Sequence, residues 1–257
     1  MSNVLAIANK ELKSYFTSPI AYIVIGFFAL LYGFFYWTIL RYFVGESMQM
    51  SQFGMQGPQA MNVNQMMIRP LLQNVTILVL FTMPMVTMRT YAEEKRSGTI
   101  ELLLTSPVSD LEIILGKFLG AMALYAVMLA VSLIHILILF AYGRPEWREI
   151  ATAYLGLLLM GGCFISLGLL ISSLTKNQIV AGMVTFAVFL FLWVISWLSS
   201  FVGPDVSRVT EYLSIIGHYD DFAKGVIDTS HVIYYLSFIT FGLFLTAKSV
   251  DSERWRG

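Results

Sequence analysis

Three groups of residues in this chain have side chains suited to chemistry. His218, Asp220 and Asp221 fall together in GHYDDFAKGVID and invite a metal or an acid/base reading. Met48, Met50, Met55, Met61, Met66 and Met67 crowd one polar stretch, and thioethers are soft ligands that suit Cu(I). Glu93, Glu94, Lys95 and Arg96 set four charges side by side between two long apolar runs. The first group has no partner motif, and adjacent acids at a helix start are expected there as caps. The second has no His or Cys among it and an irregular spacing, so it reads as a loop that moves or meets a partner. His135, His218 and His231 are too scattered in sequence to suggest a metal site. His135 alone lies deep in an apolar run, where a neutral imidazole bonded to a neighbouring helix is a plainer reading than a proton relay. The chain contains no G-x-x-x-x-G-K-[ST], G-x-G-x-x-G, H-E-x-x-H or G-x-S-x-G. No catalytic residue, metal site or cofactor is expected in it.

The elements that must position these residues are set by composition. Of the 257 residues 57% are hydrophobic and 12% charged, against about a quarter charged in soluble domains. The chain therefore reads as one all-α membrane domain over 1–257, with membrane lipids around it. Zero formal net charge gives no reason to expect nucleic acid. Cys163, the only cysteine, sits in an apolar run as a small hydrophobe. The runs Ile20 to Leu40, Leu71 to Met88, Phe118 to Tyr142, Ala151 to Thr175 and Ile179 to Phe201 are each long enough to span. A sixth, Val232 to Ala247, is about 16 residues, with Lys248 able to snorkel. Charges spread through the first residues argue against a removable signal peptide. With both termini cytoplasmic, ten Lys and Arg fall inside and six outside, the bias expected of cytoplasmic loops. Apart from His135 the predicted spans carry no charge, which argues against ion-coupled transport.

Outside the spans, three segments carry structure. IANKELKSYF sets Ile7, Leu12, Tyr15 and Phe16 against Lys10, Glu11 and Lys13, an amphipathic helix for the cytoplasmic interface that ends before Pro19. In EEKRSGTIELLLTSP, the charged turn continues the second span out of the membrane, Gly98 ends it in a left-handed conformation, and Thr99 caps a short helix from Ile100 stopped at Pro107. That helix carries Ile100, Leu102, Leu103 and Leu104, more apolar surface than a cytoplasmic turn should show, so it must dock on something. In the last outer loop, Asp205 caps a helix whose Val206, Val209, Leu213 and Ile216 share a face, and Asp221 caps a second; both lie at the outer leaflet. Phe186, Phe189, Trp193 and Trp197 of the fifth span could line a lipid-friendly path, though spacings of three and four are more often helix packing.

The string E-x-x-x-G-T-x-E-x-L-L-x-[ST]-P, carried by Glu94, Gly98, Thr99, Glu101, Leu103, Leu104, Ser106 and Pro107, is followed by I-I-L-G-K at Ile113 to Lys117. It resembles the signature of ABC type-2 exporter permeases, and the resemblance extends over the chain: an elbow helix with K-E-L, six spans, a kinked third span at Gly116 and a long final outer loop. The end of the chain, from GHYDDFAKGVID, further resembles the gliding-motility and nitrous-oxide-reductase-maturation permeases. The resemblance implies that residues 93–107, with Glu93 and Arg96 beside the signature, form the coupling helix that rests on a cytoplasmic ATPase. It implies ATP and Mg bound by that partner ATPase, a second permease copy or homologue, an extracytoplasmic partner in some systems, and an inner-membrane location. The alternative is an anchor and scaffold for an ATPase-driven envelope or motility machine that moves nothing across; substrate-stimulated ATP hydrolysis separates the two.

Overall fold

The computed structural model describes residues 2–52, 62–100, 107–198, 203, 209–210 and 212–254. Helix α1 is Ser2–Thr17, and after a bend at Ser18 the chain turns into α2, Pro19–Gln52. A π-helical turn, Asn64–Ile68, runs into α3, Arg69–Thr87, and a short α4, Ala92–Ser97, follows. Then come α5 (Asp110–Tyr142), α6 (Trp147–Ser173), α7 (Gln178–Leu198), α8 (Tyr219–Ala223) and α9 (Thr229–Arg254). No strand occurs among the described residues, and six helices, α2, α3, α5, α6, α7 and α9, are long and apolar enough to cross a membrane. The protein is an all-helical, multi-pass membrane protein.

The boundaries differ from hydropathy for local reasons. Helix α2 runs on through Arg41 to Gln52, because RYFVGESMQMSQ holds no proline; its 34 residues make about 51 Å, beyond the hydrocarbon thickness. Met48 and Met50 are thus helical, Met66 and Met67 lie in the π turn, and Met55 and Met61 lie outside the described residues. Helix α5 starts at Asp110, eight residues before the expected Phe118. Ser109 accepts from the Glu112 amide and the Glu112 carboxylate accepts from the Ser109 amide, a capping box. Helix α9 has 26 residues rather than about 16.

Helices α3 and α6 are the most enclosed of the six, and α2, α7 and α9 are the most open. Helix α2 packs on α3, and α9 packs on α6. Leu71, Val75, Val79 and Met83 of α3 share one buried core with Leu157, Met160 and Phe164 of α6. Helix α1 lies along the first turns of α5. The GKFLG of Gly116 to Gly120 leaves room for it: a Cβ at Gly116 would stand 2.6 Å from Ile7, and one at Gly120 2.7 Å from Glu11. Helix α5 is continuous through Gly116, so the glycine serves this close approach rather than ending or restarting the helix.

Asn3, α4, the start of α5 and Glu253 gather at one end of the bundle, here the proximal end; Pro70, α8 and the start of α9 mark the distal end. In the distal segment the expected stripe is not the buried one. Val209 and Leu213 are exposed while Ile215 is fully buried, and Val206 and Asp205 lie outside the described residues. The chain leaves helical geometry at Ser214, so the helical period no longer maps onto the core. The hydroxyl of Tyr235 donates to the Ile215 carbonyl (2.7 Å) and that of Tyr234 to the Leu213 carbonyl (3.0 Å). Asp221 is not a cap: it lies within α8, whose N-cap position is His218.

Candidate functional site

The charged segment after α3 is built into the bundle at a helix break. A turn over residues 88–91 separates α3 from α4, so the second span does not run straight into the charged turn. Ser172 of α6 closes the gap. Its fully buried hydroxyl accepts from the amides of Tyr91 and Ala92 (both 3.1 Å) and donates to the Met88 carbonyl (3.0 Å). One side chain of the fourth span thus satisfies groups that a continuous helix would have paired internally.

Beside this break lies a buried charge cluster. Lys117 of α5 is 1% exposed and donates to Glu11 of α1 (3.0 Å), Glu94 of α4 (2.7 Å) and the Thr90 carbonyl (3.0 Å). Its ammonium also stands 5.0 Å from the centre of the Tyr91 ring. Lys10 sits 3.8 Å from Glu11 and 3.7 Å from Glu94, so two cations face two carboxylates. Removal of one partner of such a group leaves an uncompensated buried charge. Lys95 makes a second tie: it donates to the Ser173 carbonyl and to Glu253 of α9 (2.8 Å). Helices α1, α4, α5, α6 and α9 are therefore pinned together within a few residues of Gly98. Hydropathy starts the third span at Phe118, just after Lys117, and the cue that carries the helix back past Lys117 is the S-x-x-E capping box at Ser109 and Glu112.

The signature residues divide by orientation. Glu94 turns inward to Lys117, and Glu93 pairs with Arg89 (2.9 Å). Arg96, Gly98, Thr99 and Pro107 are exposed. Gly98 ends α4 at φ 73°, the left-handed conformation anticipated for it. Helical backbone resumes at Thr99 itself, and Ile100, read as part of the docking surface, is 8% exposed and belongs to this chain's own core. Glu101, Leu103, Leu104 and Ser106 lie outside the described residues. A polar cleft of about 320 Å3 opens beside the segment, lined by Lys10, Glu11, Ser14, Arg89, Glu93 and Thr99 among others.

The four aromatics of α7 are not on one surface. Phe189 is fully buried against Phe164 of α6, with ring centroids 4.5 Å apart. Phe186 packs on Phe81 of α3 (5.3 Å), while Trp193 and Trp197 pair (4.4 Å) at the distal end. His135 lies between the rings of Tyr32 and Tyr36, 5.2 and 5.0 Å away, and among the described residues its Nδ1 has no hydrogen-bond partner.

Distally, His218 and Asp221 are brought together with His231, while Asp220 is directed elsewhere. His218 Nε2 faces the Tyr212 carbonyl (3.0 Å), and its Nδ1 faces Nδ1 of His231 at 2.6 Å. His231 Nε2 faces Asp221 (3.0 Å), which also accepts from Lys224 (2.8 Å). A carbonyl and a carboxylate only accept, so the outer Nε2 of each ring donates, and the facing Nδ1 atoms share one hydrogen bond between them. Burial holds His218 below the usual histidine range. Hydrogen bonds from Lys224 and then His231 hold Asp221 below the usual carboxylate range. The two rings, facing nitrogen to nitrogen, form a clasp between the distal segment and α9, with Asp220 instead accepting from Gln73 of α3 (3.1 Å).

Comparison with known proteins agrees with this architecture. Residues 5–247 match the family described as "ABC-2 family transporter protein". Two relatives, both named "Probable multidrug ABC transporter permease YbhR" and from Escherichia coli K12 and O157:H7, are 28% identical over 146 residues. That match covers 55% of this chain and 38% of each relative, so the chain aligns with well under half the length of the proteins it is similar to.

Proposed function

This chain belongs to the ABC-2 transporter family, and from that premise we propose that it is the membrane-spanning permease subunit of an ATP-driven transporter. ATP and Mg would be bound by a separate cytoplasmic ATPase, with a second permease copy or homologue completing the path. The observation that carries the reading is the pinning of α1, α4 and α5 on Lys117 directly before the segment that carries the signature. A partner that pushes on residues 99–107 acts on a short lever whose base is locked to three elements by buried charge. Motion enters the bundle through Glu94 to α5 and through Lys95 to α9, and the break at residues 88–91 gives α4 a joint relative to α3. In this reading the proximal end faces the cytoplasm, the membrane is the cytoplasmic one, and the polar cleft beside Thr99 receives partner side chains. The resemblance of the chain's end to gliding-motility and nitrous-oxide-reductase-maturation permeases favours a dedicated envelope substrate and an extracytoplasmic partner.

The test is ATPase association. Burial of a leucine stabilises by about 1.5 to 3 kcal/mol, so Leu103→Asp should weaken ATPase co-purification at least tenfold at matched membrane levels. Arg96→Ala and Glu101→Ala should each change it less, as expected of rim ion pairs worth about 0 to 1 kcal/mol. Lys117→Met should leave the ATPase bound but lower substrate-stimulated hydrolysis, because it cuts the lever from α5. A Leu103→Asp protein that retains a fully coupled ATPase removes this segment from the interface.

A further inference from the structure

At the distal end, α3, α7 and α8 enclose a cleft of about 270 Å3, lined by Gln73, Asn74, Trp193, Trp197, Tyr219 and Asp220 among others. The Gln73 amide nitrogen is turned to Asp220 Oδ1 (3.1 Å), and that of Asn74 to the Pro70 carbonyl (2.8 Å). The Thr76 hydroxyl donates to the Gln73 carbonyl (2.7 Å). The lining also includes the carboxylate of Asp220 and two indoles, Trp193 and Trp197, whose centroids are 4.4 Å apart. Asp220 is exposed and, among the described residues, has no cation paired with it, whereas its neighbour Asp221 has Lys224. A carboxylate without a paired cation beside two aromatic rings favours an organic cation, as in the recognition of ammonium groups by indoles.

The cleft is also the head of an apolar track. On α3, Ile77, Phe81 and Met85 follow one another at helical spacing, with Phe81 and Met85 exposed. On α7, Phe186 lies two turns below Trp193 and packs against Phe81 at 5.3 Å. A molecule with its cation among Trp193, Trp197 and Asp220 would lay its tail along this Phe81–Phe186 seam. We propose that the cleft is a binding site for the ammonium head of an amphiphile, its apolar tail running down the seam between α3 and α7. Such a head is offered by a free alkylammonium compound or by an aminophospholipid of the bilayer. That the bound molecule is a transported substrate rests on the permease reading; that it binds does not.

The experiment uses the full chain in phosphatidylglycerol nanodiscs with no ATPase present, so its result is independent of whether the chain couples to one. Decyltrimethylammonium is titrated against decyl sulfate of equal chain length, read by tryptophan fluorescence. The expected result is saturable quenching by the ammonium compound alone. Asp220→Asn should weaken it at least tenfold. An unchanged thermal midpoint for Asp220→Asn shows that the fold survives the change. Replacing part of the lipid by phosphatidylethanolamine separates the sources: competition identifies the bilayer amine as an occupant, and undiminished quenching identifies the free amphiphile. Equal quenching by both surfactants, or binding indifferent to Asp220→Asn, overturns the site and reduces the signal to partition into lipid.

Discussion

His218 is the residue at which pH acts most directly on this fold. The groups around it are His231, Tyr234 and Tyr235 of α9, the Tyr212 carbonyl of its own segment, and Asp221 of α8, itself paired with Lys224. Desolvation dominates and lowers its affinity for a proton; the Tyr212 carbonyl opposes this, His231 adds to it, and Asp221 opposes it. A histidine with a depressed folded pKa binds fewer protons in the folded than in the unfolded chain. Its contribution to stability is present above the ordinary value of about 6.5 and is lost as pH falls below that value toward the folded one. We expect the thermal midpoint in mild detergent to fall on acidification from about pH 7 to pH 5, and the fall to be smaller in His218→Asn. A midpoint equally pH-dependent in both proteins would locate the titration elsewhere. Part of this clasp was legible: His218 and Asp221 stood out as chemical residues. His231 was not joined to them, because the contact spans 13 positions and depends on how the distal segment folds back on α9. Ser172 was illegible for a stronger reason, since a serine at the end of an apolar run carries no sign that a helix 80 residues earlier breaks beside it.

At the scale of elements, the existence of the six spans followed from hydropathy, while their ends followed from caps and breakers that hydropathy does not weigh. Ser109 and Glu112 start α5 well before its apolar run, and α2 outlasts its own. The pairing of elements is set by where backbone can approach backbone. Helix α1 comes close to the α5 backbone over Gly116 and Gly120, and that contact brings Glu11 to Lys117. Gly120→Val would place a branched side chain where Glu11 Cβ stands 2.7 Å from even the first added carbon, and with the Ala8 carbonyl at 3.2 Å neither neighbour has a flexible end to move aside. The expected outcome is displacement of α1 with the spans intact. Trypsin added to the proximal side of vesicles should then cut after Lys10 or Lys13 several-fold faster than in the unsubstituted protein. Unchanged cleavage would mean that α1 is held by the charge cluster alone.

At the scale of the whole molecule, the arrangement of charge decides orientation. Lys10, Lys95 and Lys117 are tied into ion pairs at the proximal end, so they position helices as well as count toward the inside bias. The distal end carries exposed Arg144 and the Lys224 that pairs with Asp221. With the bases so divided, the proximal end is expected in the cytoplasm, where an ATPase would meet residues 99–107. A single cysteine at Ser97 or Ser252, both exposed at the proximal end, should react with a membrane-impermeant thiol reagent only after the inner face is opened. One at Arg144, exposed at the other end, should react in intact cells. Cys163 is fully buried, and burial pushes it out of reach of the reagent, so it gives no background in either case. Labelling of Ser97→Cys in intact cells would invert the molecule. It would put the signature segment on the side without ATP, leave the ammonium cleft facing the cytoplasm, and end the permease reading on topology alone, whatever the strength of its family likeness.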